Sequence, residues 1–293
     1  MTTKTYIQRI APALRGKTVA ISGATGGLGQ ALCYHLAACG ASLILVDRNA
    51  QKQQALLASL RKEFPQLHAA GLQADLEQLD EVCAVARQLI AQPPDALILN
   101  AGAYSIPRHQ TGDGYDNVFQ INFVAPYLLA HLVLPTLRAR GGRVVAVGSI
   151  AHRYSKIDLD DVDFSTRKQA SLVYGNAKRH LIYACLALAR DGAPVTVVHP
   201  GISLTGITDH YPKWLFALIK HPMRVIFMPP RRACLSILQG LIEPPSAAHW
   251  IGPRCFDVWG LPRTRRLRSA DATERAIIEQ RAADIVRRRL TER

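Results

Sequence analysis

The stretch Ser22-Gly-Ala-Thr-Gly-Gly-Leu-Gly29 joins a short β-branched run at residues 17–22 to an apolar helical pattern that ends at Gly40. A strand, a glycine turn and a helix in this order form the context that a dinucleotide-binding turn requires. Glycines let the backbone approach a pyrophosphate, whose charge is met by N–H groups at the helix N-terminus. The glycine spacing is G-x-x-x-G-x-G and not the more familiar G-x-G-x-x-G, but the flanking pattern predicts a nucleotide site at this turn.

The next apolar run, residues 42–47, ends on an acid, Asp47, and Arg48 follows it directly. A carboxylate at this place accepts the ribose hydroxyls of NAD and repels the 2′-phosphate of NADP. The guanidinium of Arg48 would attract that same phosphate. The sequence therefore predicts an NAD(P)(H) cofactor and favours NAD(H), with NADP(H) left open.

The remaining chain alternates between helical and strand patterns up to residue 198, which predicts an α/β fold of the Rossmann type: a doubly wound parallel sheet with helices on both faces. Ligands of such sheets bind beyond the carboxyl ends of the strands. Polar residues or turns follow the predicted strands at that edge. We expect a lead-in at 1–16 and a single domain over 17–293. The predicted helices are 50–64, 77–91, 115–140 and a run from Tyr174 to 190, and the further strands are 67–74, 95–100, 142–148 and 194–198.

Tyr174 and Lys178 lie four residues apart in a predicted helix, so both side chains project from the same face. A phenol has a pKa near 10 and is a poor acid or base at neutral pH, but a neighbouring cation favours its ionised form. The pair is therefore a candidate for proton transfer. The alternative is a solvated helix face, on which this spacing is common.

Composition limits the protein class. Of the 293 residues, 48% are hydrophobic and 20% are charged, which is typical of a soluble globular protein with a sizeable core. The six cysteines are scattered, which predicts small buried side chains in a reducing, cytoplasmic compartment and neither a disulfide framework nor a metal site. The net charge is +14, and the last third holds 16 Lys/Arg against 8 Asp/Glu. This asymmetry suits either an anionic surface or a solvated basic one.

Residues 205–232 are expected to form a lid over the substrate. Their apolar core, 214–228, is interrupted by charged residues and Pro222 and is too short to span a membrane. The favoured interpretation is a pocket-lining lid, and the alternative adds peripheral membrane contact through its lysines and arginines. Both imply a small hydrophobic alcohol or carbonyl substrate. The sequence of residues 270–293 predicts an Arg-rich helix that closes the domain. Its charge alone could suit a nucleic acid, but it contains no recognition motif, so no nucleic-acid partner is expected.

Seven short motifs, taken in order, resemble the short-chain dehydrogenase/reductase family and, within it, the retinol-dehydrogenase-like branch. The resemblance covers about residues 17–205 and continues weakly beyond them. The motifs are Ser22-Gly-Ala-Thr-Gly-Gly-Leu-Gly29, Asp75-Leu76, Asn100-Ala101-Gly102, Thr111-Gly-Asp-Gly-Tyr-Asp116 with Ile121-Asn122, Gly148-Ser149-Ile-Ala-His152, Tyr174-x-x-x-Lys178, and His199-Pro-Gly with Thr205.

The resemblance implies an oxidoreductase that interconverts an alcohol and a ketone or aldehyde with NAD(P)(H), and leaves monomer and homo-oligomer both open. The alternative is a catalytically silent member of the fold that senses a nucleotide or serves as a scaffold. The implied catalytic residues are Asn122, Ser149, Tyr174 and Lys178. The cofactor-binding residues are expected to be Gly23, Thr25, Gly26, Gly27, Leu28, Gly29, Asp47, Arg48, Asp75, Leu76, Asn100, Ala101, Gly102, Tyr174, Lys178, Pro200, Gly201, Ser203 and Thr205.

The resemblance implies that Tyr174 exchanges a proton with the substrate oxygen and that Ser149 holds that oxygen by a hydrogen bond. It also implies that Lys178 lowers the pKa of the tyrosine and contacts the nicotinamide ribose. The backbone carbonyl of Asn122, at a helix distortion, would hold a water that links Lys178 to solvent. Pro126 supports such a distortion because it has no N–H to donate to the carbonyl of Asn122. Departures from the family pattern are Leu99, Gly148, Val124-Ala125, Ala177 and Asp47. Asp47 stands where the NADP-using retinol branch has a small neutral residue, which leaves the cofactor preference open and not nucleotide binding itself.

Overall fold

A computed structural model describes residues 2–202, 227–267 and 270–291 of the chain. Its centre is an eight-stranded sheet of order β3-β2-β1-β4-β5-β6-β7-β8, parallel throughout except for the antiparallel β7–β8 pair. This confirms the predicted fold class. The strands are β1 (Thr18–Ser22), β2 (Ser42–Asp47), β3 (Ala69–Gln73), β4 (Ala96–Leu99), β5 (Arg143–Val147), β6 (Val195–Val198), β7 (His249–Cys255) and β8 (Trp259–Arg266).

Helices cover both faces of the sheet. The helices α4, α6, α7 and α9 bury their apolar sides on one face, and α1, α2, α3 and α8 do so on the other. Strands between two such layers are buried on both sides, as in β4 and β6, where every residue is buried and only Thr196 is polar. The helices are α1 (Thr3–Leu14), α2 (Gly27–Ala38), α3 (Ala50–Glu63), α4 (Leu79–Ala91), α5 (Asn117–Phe119), α6 (Ala125–Ala139), α7 (Ala170–Arg190), α8 (Pro230–Gly240) and α9 (Ala272–Thr291).

The long predicted helix at 115–140 is divided in the structure. The short helix α5 leads into a π-helical turn, Gln120–Val124, before α6 continues the run. Pro126 explains the position of this turn, since it lacks the N–H that a regular helix would need there. The run Asn117–Ala139 is long and apolar enough to cross a membrane, but 83% of its apolar window is buried inside the protein, as in a core helix.

The two ends of the chain differ in detail from the sequence predictions. The lead-in at 1–16 contains α1, which buries Tyr6, Ile10 and Leu14. Residues 205–226 of the predicted lid lie outside the described residues, while its last residues belong to α8. Helix α9 buries Ile278, Ala282 and Ile285, whereas Leu290 near its end is 55% exposed. All six cysteines are free, and all are buried except Cys255.

Candidate active site

The turn between β1 and α2 is built so that only glycine fits at two of its positions. Gly23 has a φ of +67°, and a Cβ there would lie 2.7 Å from the Cα of Ala101. A Cβ on Gly29 would lie 2.2 Å from the carbonyl oxygen of Gly23. The N-cap residue of α2, Gly26, offers no side chain to the first N–H groups of the helix. These N–H groups are therefore available to an anionic ligand.

Asn100, directly after β4, fixes this turn from the neighbouring strand. Its side-chain nitrogen donates to the carbonyl oxygens of Ser22 and Gly23, both at 3.0 Å. The Ser22 hydroxyl accepts in turn from the N–H groups of Asn100 and Ala101, both at 3.1 Å. The side-chain oxygen of Asn100 is buried and has no hydrogen-bond partner in the structure. Ser22 is a residue to which the sequence analysis gave no role, although a hydroxyl just before the glycine turn was visible there.

Asp47 ends β2 beside the same turn. Its Oδ1 accepts from the Thr25 N–H at 3.1 Å and from the Thr25 hydroxyl at 2.8 Å, whereas its Oδ2 is buried without a partner. Burial raises the pKa of Asp47, although the hydrogen bonds from Thr25 oppose this. The side chain of Arg48 is 67% exposed, with Glu77 4.0 Å away. The two residues thus offer a buried acceptor and an exposed cation, the two features that left the cofactor preference open.

The other predicted cofactor residues lie along the same edge of the sheet or beside it. Asp75 is half-buried and caps the backbone of Glu77 at 3.0 Å, and Leu76 is buried beneath it. Leu28 accepts a hydrogen bond from Cys234 through its carbonyl oxygen. Pro200 and Gly201 follow β6 on this edge, and Gly201 has a φ of +89°. Gly27 begins α2, and Gly102 follows Ala101. Ser203 and Thr205 lie outside the described residues.

Tyr174, Ser149 and Lys178 converge at the centre of this edge. Ser149 follows β5 and hydrogen-bonds the hydroxyl of Tyr174, which lies in the second turn of α7 because that helix begins at Ala170. Lys178, one turn further on, is 2% exposed. Its Nζ lies 5.8 Å from the Tyr174 ring centroid and donates to the carbonyl oxygen of Val147 at 3.0 Å. The three predicted side chains are therefore brought together.

Burial shifts the pKa values of the tyrosine and the lysine in opposite directions. It raises the pKa of Tyr174 to about 12, and the hydrogen bond with Ser149 only partly offsets this. It lowers the pKa of Lys178 to about 8. The expected lowering of the Tyr174 pKa by Lys178 is not found in this structure, because desolvation of the phenolate outweighs other effects and the ammonium faces a carbonyl oxygen.

Asn122 lies within the π-helical turn and is fully buried. Its side chain clamps Ala103: Oδ1 accepts from the Ala103 N–H at 3.3 Å and Nδ2 donates to the Ala103 carbonyl at 2.8 Å. A Cβ on Gly102 would lie 2.8 Å from the same Oδ1. Asn122 thus fixes the loop after Asn100-Ala101-Gly102. The water relay through its backbone carbonyl stays a prediction.

Tyr104 is a neighbour of the site that the sequence analysis missed. Its ring meets the ring of Tyr174 edge-on, with centroids 5.3 Å apart and planes at 88°. The side chain is 37% exposed, so it lies on the open side of Tyr174. An aromatic residue two positions after Asn-Ala-Gly was the available signal.

The observed groups fit a nicotinamide dinucleotide. The glycine turn and the uncapped start of α2 suit a pyrophosphate, and the unpaired Asp47 Oδ2 suits a ribose hydroxyl. The buried Lys178 ammonium and the Tyr174 hydroxyl lie at the carboxyl edge of the sheet, where the nicotinamide end of such a cofactor would be expected. Among residues 2–202, 227–267 and 270–291, no three His, Cys, Asp or Glu side chains are grouped as a metal ion would require.

Comparisons with known proteins agree with this geometry. The model of the short chain dehydrogenase family matches residues 17–215. Human retinol dehydrogenase 13 is 32% identical over 203 residues, which cover 67% of this chain and 61% of that protein. Mouse polyprenol dehydrogenase is also 32% identical, over 69% of this chain and 64% of its own length. The chain thus spans less than two thirds of the length of these relatives.

Solved structures show the same fold. An uncharacterised protein from Mycobacterium paratuberculosis superposes with a TM-score of 0.72 at 24% identity, over 94% of this chain and 97% of that one. A short-chain dehydrogenase from Sphingobium yanoikuyae, solved with NADPH, gives 0.58 at 27% identity, over 76% and 83%. The chain belongs to the short-chain dehydrogenase/reductase family and resembles its retinol dehydrogenases.

Proposed function

We propose that this protein is an NAD(P)-dependent oxidoreductase that interconverts a hydrophobic alcohol and its ketone or aldehyde. The observation that carries the proposal is the meeting of Ser149, Tyr174 and Lys178 at the edge of the sheet that also holds the glycine turn. A nucleotide-sensing or scaffold protein would not need a hydroxyl pair suited to proton transfer beside a buried ammonium.

The bound nicotinamide would supply or accept the hydride at the substrate carbon. The chain's own groups act on the substrate oxygen. Tyr174 gives it a proton during reduction or takes one during oxidation, and Ser149 donates a hydrogen bond to it. Lys178, whose ammonium donates to the carbonyl oxygen of Val147 in this structure, would contact the nicotinamide ribose when the cofactor is bound. Asn122 keeps the loop at Ala103 in place beside them.

We propose NAD(H) as the preferred cofactor because Asp47 holds a buried, unpaired carboxylate oxygen at the end of β2. Two ribose hydroxyls are donors that could satisfy that oxygen, whereas a 2′-phosphate would meet a like charge. The exposed guanidinium of Arg48 would favour the phosphate instead. A cofactor titration separates the two.

The substrate class follows from the surroundings of Tyr174 and from the relatives. Tyr104 provides an aromatic face on the open side of the site. Two of the relatives are named as dehydrogenases of retinol and of polyprenol, which are apolar alcohols. We propose a lipid-, retinoid- or steroid-like alcohol or carbonyl compound as the substrate.

Turnover decides the main proposal. Purified protein is mixed with either nicotinamide cofactor and a panel of apolar alcohols and ketones, and the absorbance of the reduced nicotinamide is followed. Tyr174→Phe should abolish turnover and leave cofactor binding intact. The matched control is Tyr154→Phe, which removes the hydroxyl of an exposed tyrosine and should change nothing. Cofactor binding without turnover of any substrate, or an active Tyr174→Phe variant, would favour the silent nucleotide sensor.

We also propose that the protein, which the sequence predicts to be cytoplasmic, makes peripheral contact with a membrane surface. Phe256 is 90% exposed and Tyr154 is 67% exposed at the active-site edge. Arg153 and Asp257 join the segments that carry them through an ion pair of 2.8 Å. Phe256 has a φ of +50°, which is costly for a residue with a side chain. A bulky apolar group held outward beside the exposed Arg254 suits an anionic membrane surface.

Vesicle sedimentation at low salt tests this contact. The wild-type protein should sediment with anionic vesicles and less with zwitterionic ones, and Phe256→Ser should weaken the binding. Ile90→Ser, which removes a 40% exposed apolar side chain on α4, is the control and should bind as the wild type does. Absence of binding to anionic vesicles would refute the proposal. The earlier candidate for membrane contact, 214–228, lies mainly outside the described residues.

A further inference from the structure

Arg179 directly follows Lys178 on α7 and forms a buried ion pair with Glu274 of the C-terminal helix. Its Nε donates to Oε1 and its Nη2 to Oε2 of the carboxylate, both at 2.5 Å. The side chains are only 12% and 10% exposed. Burial acts to lower the pKa of Arg179, but the hydrogen bonds and charge of Glu274 raise it overall. The guanidinium is therefore a fixed cation held in one orientation.

The remaining donor of Arg179 reaches the turn that carries Ser149. Its Nη1 donates to the carbonyl oxygen of His152 at 2.9 Å. The Nδ1 of His152 lies 2.6 Å from the carbonyl oxygen of Ser149. Burial lowers the pKa of His152 to about 4, so the ring is neutral at physiological pH and its one N–H must lie on Nδ1 to donate to that oxygen. A continuous chain of contacts thus runs from Glu274 to Ser149.

The same carboxylate also touches the segment that follows this turn. Oε1 of Glu274 accepts from the N–H of Ile157 at 3.4 Å. Glu274 is itself held at the start of α9, where its N–H donates to Asp271 Oδ1 at 2.8 Å. The segment 149–157, which has little regular structure beyond one 3-10 turn, is therefore fastened at both ends to groups on α7 and α9.

Helix docking alone does not explain this pair. A second bidentate pair, between Arg190 and Glu279, joins the same two helices at 2.9 and 2.8 Å and is more exposed. Buried ion pairs are often no more stable than apolar replacements of similar volume, so geometry is the better explanation for keeping one. What distinguishes the Arg179–Glu274 pair from the outer pair is its contact with the Ser149 turn.

We propose that Arg179 and Glu274 are positioning residues that hold the Ser149 turn against Tyr174, so that the C-terminal helix completes the active site. The inference rests on the proposed oxidoreductase function. Loss of Glu274 would free the guanidinium, release the His152 carbonyl and let the Ser149 hydroxyl drift from the substrate oxygen. Small displacements of this kind reduce turnover steeply.

Four variants separate positioning from stability. Glu274→Ala and the milder Glu274→Gln disturb the inner pair, and Glu279→Ala removes the outer pair as a matched control. The double variant Arg179→Met/Glu274→Leu replaces the inner pair by apolar side chains and should recover the thermal unfolding midpoint. We expect kcat to fall roughly 10- to 100-fold in all three inner variants, with cofactor affinity and KM nearly unchanged. Glu279→Ala should retain kcat.

Hydrogen exchange gives a readout that does not depend on turnover. Backbone amides 149–157 should exchange faster in Glu274→Gln and in the double variant, and at the wild-type rate in Glu279→Ala. Wild-type protein without turnover would refute the oxidoreductase proposal, while the exchange result would still decide whether the pair holds this turn. Unchanged exchange, or a double variant that recovers both stability and kcat, would overturn the positioning role. If Glu274→Ala fails to fold, Glu274→Gln and the double variant carry the test.

Discussion

Replacing Lys178 by methionine should remove activity without reducing stability at neutral pH. Burial lowers the pKa of Lys178 from 10.5 to about 8, which makes its charged form costly by about 3 kcal/mol in the folded protein. Methionine keeps most of the volume and has no charge. Against this, the carbonyl oxygen of Val147 loses its 3.0 Å donor, at a cost of about 1–3 kcal/mol. We expect the free energy of unfolding at pH 7 to stay the same or rise by up to about 2 kcal/mol.

The pH dependence gives the sharper test. Between pH 8 and 10.5 the folded protein has released this proton while the unfolded chain still holds it, so unfolding takes up a proton and the lysine contributes stability that rises with pH. Urea unfolding followed by circular dichroism at pH 7 and at alkaline pH should show that the advantage of Lys178→Met shrinks as pH rises. Lys52→Met, on an exposed position of α3, should match the wild type at both. A variant destabilised by more than about 3 kcal/mol at pH 7, or a constant difference across pH, would refute the reasoning.

Three further predictions concern the cofactor turn and the assembly. Asp47→Asn keeps an oxygen for Thr25 but removes the charge, so titration should show weaker NAD(H) binding and a relative gain for NADP(H); an unchanged ratio would exclude Asp47 as the determinant. Gly29→Ala places a Cβ 2.2 Å from a carbonyl oxygen and should abolish cofactor binding, whereas Gly112→Ala, with open space around it, should not. Helix α9 packs along α6 and α7, so it covers a surface through which those helices could otherwise pair with a second copy of the chain. We therefore expect light scattering to show no dimer formed through α6 and α7, and a dimer that is lost when exposed residues of these two helices are mutated would contradict this.

The part of the fold that could be predicted is the part with a strong local pattern. Continuous apolar runs such as β5 and β6, with glycine turns or helices between them, indicate a parallel sheet in any context. The β7–β8 pair lacks that pattern. Both strands contain a proline, at Pro253 and Pro262, and β8 ends in four polar residues, three arginines and a threonine, at positions 263–266. The edge strand β8 needs no alternating apolar face, so sequence alone does not reveal it.

The residue types of the candidate site were predictable, but their partners were not. Ser149, Tyr174 and Lys178 each lie in a short motif, and parallel strand ends bring such motifs to one edge. The pairing of Arg179 with Glu274 spans 95 residues of sequence and depends on how the last helix crosses α7. The pKa directions were also inaccessible, because the burial of Tyr174 and Lys178 is a property of the packed structure. Here desolvation outweighs the effect of the neighbouring charge.

The raised pKa of Tyr174 makes the two directions of the reaction respond differently to pH. With a pKa of about 12, nearly all phenol in the free protein is protonated at neutral pH, so the acid needed for reduction is already present. Oxidation requires the phenolate, and as long as the pH is below that pKa the phenolate fraction grows about tenfold for each unit by which the pH rises. The kcat/KM for alcohol oxidation should therefore rise with pH from 7 to about 10, while that for carbonyl reduction should not. Measuring both profiles on one substrate pair tests this. An oxidation profile that is flat over this interval would mean that Tyr174 is not the base, or that its pKa lies well below the raised value that burial gives it.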